Sequence, residues 1–215
     1  MNNNLNRLSM IRNIYRSLIN TGRTYAAFDK DCIVPLINEL KNNKVILDPM
    51  AGYGSLMSFC SEIGLSTYNI EYNPPTFLWM VLTNPNNVNV IIKIIDKVLK
   101  EKSALPTMNC RASVSESWFP DQSYKVIIEL YELINRITKN YMNNDEREKI
   151  SLAILIPFVG RFSTCVPGNN VTHVKPGGIC VFTNWEEDFI DYLNILRKRL
   201  SLISKNSIIS KHSVV

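Results

Sequence analysis

The sequence predicts an α/β fold in which a mainly parallel sheet carries a long helical insertion after its second strand. Three observations predict it. Residues 45 to 59, VILDPMAGYGSLMSF, run from an apolar strand through Asp-Pro and a glycine turn into a helix. A second strand-like segment, Thr67 to Ile70, ends at Glu71, 23 residues beyond Asp48. From residue 87 to about 204, apolar residues recur mostly at helical spacing.

Taken in order, residues 1 to 20 place Leu5, Leu8, Ile11, Tyr15 and Leu18 on one stripe, with Arg7, Arg12 and Arg16 among the polar positions, which predicts an amphipathic helix. A loop and a further helix lead into the first strand. Val45, Ile46 and Leu47 form an uninterrupted apolar run, the pattern of a parallel strand buried on both faces. Gly52 and Gly54 then let a ligand approach the backbone, and Ser55 stands where a helix starts. After Glu71, the run PPTFLWMVLTNP supplies a helix with Pro74 and Pro75 near its start. Val88, Ile91, Ile92, Ile95, Val98 and Leu99 mark another helix over residues 87 to 103. Asp121 is placed to cap a helix striped by Val126, Leu130, Leu133 and Ile137, and a further helix starts near Asn144. Pro167-Gly168-Asn169-Asn170 and Lys175-Pro176-Gly177-Gly178 are turn chemistry, followed by a short strand, Ile179 to Phe182. A helix then begins at Phe189 and ends in Arg197, Lys198 and Arg199, where basic residues suit a helix C-terminus. The segment SKNSIISKHSVV reads as an approach to a third strand. The expected organisation is therefore N-terminal helices and an α/β core over 1–86, a mainly helical insertion with a basic loop over 87–204, and the start of a third core strand over 205–215.

Composition narrows the function classes. With 46% apolar residues in 215, the chain can bury a sizeable core, and a net charge of +5 permits a polyanionic partner without demanding one. Five widely spaced cysteines without a C-x-x-C pair argue for reduced thiols and against both a disulfide framework and a zinc site. His173 has no ligand partner at metal spacing, so no metal is expected. The polar start, MNNNLNRLSM, and the lack of a long apolar run argue for a cytoplasmic protein with no membrane span. Hydrolase and triphosphatase motifs are absent.

VILDPMAGYGS followed by NIEYNP resembles the first two motifs of S-adenosylmethionine-dependent DNA methyltransferases of the amino-methylating kind. The resemblance implies a Rossmann-like methyltransferase sheet, partial or complete, with S-adenosyl-L-methionine as cofactor. It implies that Asp48, with Pro49 after it, lies near the cofactor's amino-acid end, that Ala51, Gly52 and Gly54 face the cofactor, that Glu71 takes the ribose and that Tyr72 lies beside the adenine. Tyr53 and Ser55 depart from the usual Ser and Thr. An aromatic residue over the cofactor is implied for the segment before the first strand, with Tyr25 and Phe28 as candidates and core packing as the plain alternative. Trp118 and Phe119 resemble an aromatic pair of the same branch.

The family grips the target amine with a polar-Pro-Pro-aromatic loop, and here the resemblance fails. Asn73-Pro74-Pro75 has the right start but is followed by Thr76 and sits where the second motif's Asn-Pro belongs, so it is a weak catalytic candidate. No other such loop is found. The chain thus resembles the N-terminal half of such an enzyme, and a second methyltransferase chain, or self-association, is expected to complete it. DNA is the expected substrate, with Arg161, Asn169, Asn170, Thr172, His173 and Lys175 as a loop able to hold phosphates and reach bases, or else a plain polar loop. Two other readings stay open: a non-catalytic DNA-binding or scaffolding subunit with a relic cofactor turn, and methyl transfer to RNA or to a protein side chain.

Overall fold

The computed structural model describes residues 35, 38–40, 45–106, 113–114, 121–159, 166–167, 174–175, 179–180, 185–206 and 210–215. The helix expected over residues 1 to 20, and Trp118 and Phe119, lie outside the described residues. The chain divides into two units: Met1–Ile92 with Leu196–Val215, and Lys93–Ile195.

The first unit is α/β. Strand β1 (Val45–Asp48) leads through the glycine turn to α1 (Ser55–Glu62), then to β2 (Ser66–Asn69) and α2 (Pro74–Thr83). Residue Asn84 precedes Pro85, which disfavours a helical conformation at Asn84 and ends α2 there, with Asn84 extended at ψ 119°. Helix α3 (Pro85–Lys100) starts at once on the other side of that break, and its first half belongs to this unit. The last strand of the chain, His212–Val214, pairs parallel with β2 on the side away from β1. The sheet therefore has three parallel strands with β2 in the centre, in register Ile46–Thr67–His212 and Leu47–Tyr68–Ser213 across it.

Side chains alternate between the two faces of this sheet. Ile46 packs with Leu56 and Cys60 of α1, and Ala51 with Met57 and Met80, with Val214 against them. Helix α2 buries Trp79, Met80, Val81 and Leu82, consistent with a helix apolar nearly all round. The other face departs from expectation. Val45 and Leu47 are each 60% exposed, so β1 is buried on one face only. The reason is that no described helix covers that side. The buried face is instead unusually polar, with Asp48, Thr67, Asn69 and His212 all below 6% exposure.

These polar groups are paired across strands. Asn69 donates to Thr67 Oγ1 at 2.8 Å and to the Ser213 carbonyl at 2.9 Å, while Thr67 Oγ1 lies 2.8 Å from His212 Nδ1. Ser210 Oγ lies 2.6 Å from His212 Nε2. Because Thr67 accepts from Asn69, its own hydroxyl hydrogen is available to Nδ1, and the imidazole then donates through Nε2 to Ser210. Asn84 and Asn86 both donate to the His212 carbonyl, at 2.9 and 3.3 Å, which ties the α2–α3 break to the last strand. Burial pulls the His212 imidazole down to about 4. A histidine with a lowered folded value stabilises the fold above its unfolded value near 6.5 and ceases to do so as pH falls towards 4. The expected result is a loss of about 2 kcal/mol between pH 6.5 and 4, seen by urea unfolding at both pH values and absent in His212→Gln. Asp48, whose value burial raises, contributes with the opposite sign: its protonation favours the fold as pH falls.

The second unit is mainly helical. It holds the second half of α3, a 3₁₀ turn (Lys102–Ala104), α4 (Asp121–Thr138), α5 (Asn144–Val159) and the first half of α6 (Trp185–Asn206). Strand β3 (Ser113–Val114) pairs with β6 (Ile179–Cys180), and β4 (Val166–Pro167) with β5 (Val174–Lys175), both antiparallel; β7 is thus His212–Val214. Helices α4 and α5 pack on each other through stripes that include Leu130, Ile134, Ile137, Ile150 and Ile154. Phe158, Phe189 and Tyr192 form an aromatic cluster, and the Tyr192 hydroxyl donates to the Ile154 carbonyl at 2.7 Å. Asn143 Oδ1 accepts the Glu146 amide and so caps α5. Helix α6 begins four residues before Phe189, because Glu186, Glu187 and Asp188 favour a helix N-terminus. It also runs on to Asn206, so Arg197, Lys198 and Arg199 do not form its last turn, which is supplied by Lys205.

Candidate cofactor-binding turn

The turn between β1 and α1 is fastened to the end of β2 by two backbone bonds. The Ile70 amide donates to the Asp48 carbonyl at 2.9 Å, and the Ala51 amide donates to the Ile70 carbonyl at 3.0 Å. The Gly54 amide then donates to the Ala51 carbonyl at 2.8 Å, and α1 starts at Ser55. Gly52 and Gly54 have φ of 53° and 74°, the left-handed region that side chains with a Cβ rarely adopt.

The two glycines serve different purposes. A Cβ on Gly52 would meet no atom within 4 Å apart from its chain neighbours, so the space a side chain would take there is open. A Cβ on Gly54 would come within 3.0 Å of Met80 Cγ and 3.1 Å of Met57 Cε. Gly54 is therefore a packing glycine that lets α1 and α2 approach each other. Ala51, with Met57 and Met80, belongs to the same cluster and is buried. Gly54→Ala is expected to lower stability by about 1–3 kcal/mol through strain and overpacking, measured by denaturant unfolding.

Asp48 closes β1 and points to the buried face. Its Oδ1 accepts the Met50 amide at 3.3 Å, while its Oδ2 is buried without a hydrogen-bond partner. In the next row position of β2, Asn69 Oδ1 is also buried and unpartnered. Burial raises the Asp48 carboxyl above its usual range, the Met50 amide works against this, and the nearby charge of Glu71 adds to it. Cys60, beneath Asp48 in α1, is pushed up to about 12 by burial and by the Asp48 charge, so its thiol is inert.

Glu71 lies two residues past the end of β2, not within it. Its Oε1 accepts the Asn73 amide at 2.7 Å, and its own amide donates to the Val215 carbonyl at 3.1 Å. The carboxylate is thus held at the carboxyl end of the sheet, partly exposed, with its second oxygen free of any described partner. Neither Asp48 nor Glu71 has an ion pair among the described residues. Tyr72 is 99% exposed, and Pro49 and Met50 in the turn are exposed too.

The Asn73-Pro74-Pro75 triplet is the beginning of α2. Asn73 is its N-cap with Pro74 and Pro75 in the first turn, and the Asn73 carbonyl accepts the Phe77 amide at 2.9 Å and the Thr76 hydroxyl at 3.1 Å. Its carbonyl is thus already committed to the helix. Tyr25, Phe28, Arg161, Asn169, Asn170, Thr172 and His173 lie outside the described residues. Lys175 is in β5, opposite Val166 in register. Among the described residues no group of His, Cys, Asp and Glu is arranged to hold a metal ion, and no helix is long and apolar enough to cross a membrane.

The buried row of Thr67, Asn69 and His212 beneath the turn was not foreseen. Its signal was weak, because His212 becomes meaningful only once its strand is placed beside β2. Comparisons with protein-family models, curated proteins and solved structures found no match to this chain.

Proposed function

We propose that this chain is the S-adenosylmethionine-binding half of a DNA amino-methyltransferase that modifies adenine N6 or cytosine N4. The observation that carries the reading is the nearness of two carboxylates, Asp48 and Glu71, at the carboxyl ends of adjacent parallel strands, beside a turn in which Gly52 leaves open the space a side chain would take. Ligands of open parallel sheets bind at this end. A buried carboxylate, Asp48, whose proton affinity burial and the nearby Glu71 charge raise, with no cation paired to either acid among the described residues, disfavours a diphosphate and favours a ligand that brings positive charge. A sulfonium with an α-ammonium group does so. Glu71's free oxygen suits ribose hydroxyls, and its other oxygen is fixed by Asn73, so the acceptor is held in place before the ligand arrives.

Transfer of a methyl group from a sulfonium to an exocyclic amine needs alignment and a polar grip on the amine, with no metal and no covalent intermediate. The turn offers the first requirement. The grip is assigned to a partner polypeptide bearing a polar-Pro-Pro-aromatic loop, since Asn73 is engaged as a helix cap. Incorporation of labelled methyl groups into DNA, RNA and protein by the chain alone and with such a partner tests this. DNA labelling only with both chains present is expected. Turnover by the lone chain would refute the division of labour, and labelling of RNA or protein alone would replace the substrate.

A further inference from the structure

Two oxygens on the buried face of the sheet lack a donor. Asp48 Oδ2 and Asn69 Oδ1 are shielded from water, in residues 5% and 0% exposed, and neither has a hydrogen-bond partner among the described residues. The two residues are register neighbours on β1 and β2, on the same face of strands about 4.8 Å apart. The orientation of the Asn69 amide follows from its contacts: Nδ2 lies 2.9 Å from the Ser213 carbonyl of β7, which can only accept, and 2.8 Å from Thr67 Oγ1. Turning the amide over would set its oxygen against that carbonyl. With the nitrogen drawn towards β7, the oxygen is left to the side of β1, where Asp48 stands. An ionised Asp48 would therefore set acceptor beside acceptor out of reach of water, an arrangement that buried polar groups avoid. A hydrogen on Oδ2 satisfies both atoms. The Met50 amide agrees with a neutral acid, since its 3.3 Å to Asp48 Oδ1 exceeds the about 2.7–2.9 Å to which an ionised acceptor draws a donor.

We propose that Asp48 and Asn69 form a buried proton site, in which neutral Asp48 donates from Oδ2 to Asn69 Oδ1, and that a cation bound at the turn takes the proton's place. The proton follows from the sheet alone, whereas the exchange rests on the cofactor reading. The groups around Asp48 supply no other counter-charge. Burial, and then the charge of Glu71 past the end of β2, raise the Asp48 carboxyl against the pull of the Met50 amide. Cys60 on α1 is a neutral thiol, and His212 on β7, further along the row through Asn69 and Thr67, is a neutral imidazole above about 4. Tyr53 stands in the turn, Glu62 closes α1 at the end away from the turn, and α2 carries no titratable residue. A cationic ligand that pairs with Asp48 must therefore displace the proton. Its affinity rises with pH, by at most about tenfold per unit, until Asp48 is ionised in the free chain.

Carbon NMR of the Asp48 carboxyl in the full chain without ligand tests the proton. The expected result is an acid-form shift that persists at a pH where ordinary aspartates have ionised. Asp48→Asn places an N–H where the acid has its O–H, so its resistance to urea at neutral pH is expected to equal or exceed the parent's. Titration of Asp48 in the ordinary aspartate range, or a clearly weaker Asp48→Asn variant, would overturn the proton site, and the titration stands without the variant. Calorimetry with S-adenosylmethionine in buffers of different ionisation heat tests the exchange. Release of about one proton per cofactor is expected while Asp48 is still protonated in the free chain. Binding without proton release would overturn the exchange. No binding at all would remove the cofactor reading, and the exchange with it, while the carboxyl titration decides the proton.

Discussion

Replacing Gly52 with Val is expected to abolish binding of S-adenosylmethionine, by more than about 100-fold, while the protein stays folded. The backbone at Gly52 has φ of 53°, so any side chain with a Cβ adds strain of about 1–2 kcal/mol. That cost is small against a typical stability of about 5–15 kcal/mol. A Cβ at this position meets no atom within 4 Å apart from its chain neighbours, so the branch point of the new side chain displaces nothing in the core. It would instead fill the space that the turn leaves open, which is where the ligand is assigned. Calorimetry on the folded variant checks this. Unchanged affinity would move the cofactor site away from the turn.

Replacing Glu71 with Ala is expected to weaken cofactor binding by about 1.5–3 kcal/mol, the scale of hydrogen bonds to a charged acceptor. The structure adds a control, because one oxygen of Glu71 already accepts the Asn73 amide at the head of α2. Part of the loss in Ala would come from releasing that loop. Gln keeps an amide oxygen for Asn73 and removes only the charge, so Glu71→Gln is expected to bind between the parent and Ala. If Ala and Gln both bound like the parent, Glu71 would serve only as the cap of its own loop.

The strand and turn at residues 45–54 were legible because their physics is local. An apolar run, an Asp-Pro and two glycines leave few conformations open, and β1, the left-handed glycines and the start of α1 fall where those residues place them. The helices of the second unit were legible for the same reason, since stripes such as Val126, Leu130, Leu133 and Ile137 fix a face without reference to the rest of the chain. What escaped depended on contacts distant in sequence. Val45-Ile46-Leu47 has the pattern of a strand covered on both sides, but burial is decided by whether a helix arrives, and none among the described residues does. The start of α6 was placed too late because the acids before Phe189 were not weighed as helix-initiating residues. The different roles of Gly52 and Gly54 could not be separated in the sequence, because only the packing of Met57 and Met80 distinguishes them. The segment holding His212 reads as an approach to a third strand, but the place of the imidazole between Thr67 and Ser210 follows only from the pairing of β7 with β2.

The central claim is that the Asp48–Gly54 turn with Glu71 is a site for S-adenosylmethionine, and titration calorimetry of the full chain with that cofactor tests it most directly. The expected result is saturable binding at one site per chain, lost in Gly52→Val and reduced in Glu71→Ala. An absence of saturable heat up to high micromolar cofactor, or binding that both substitutions leave unchanged, would contradict it.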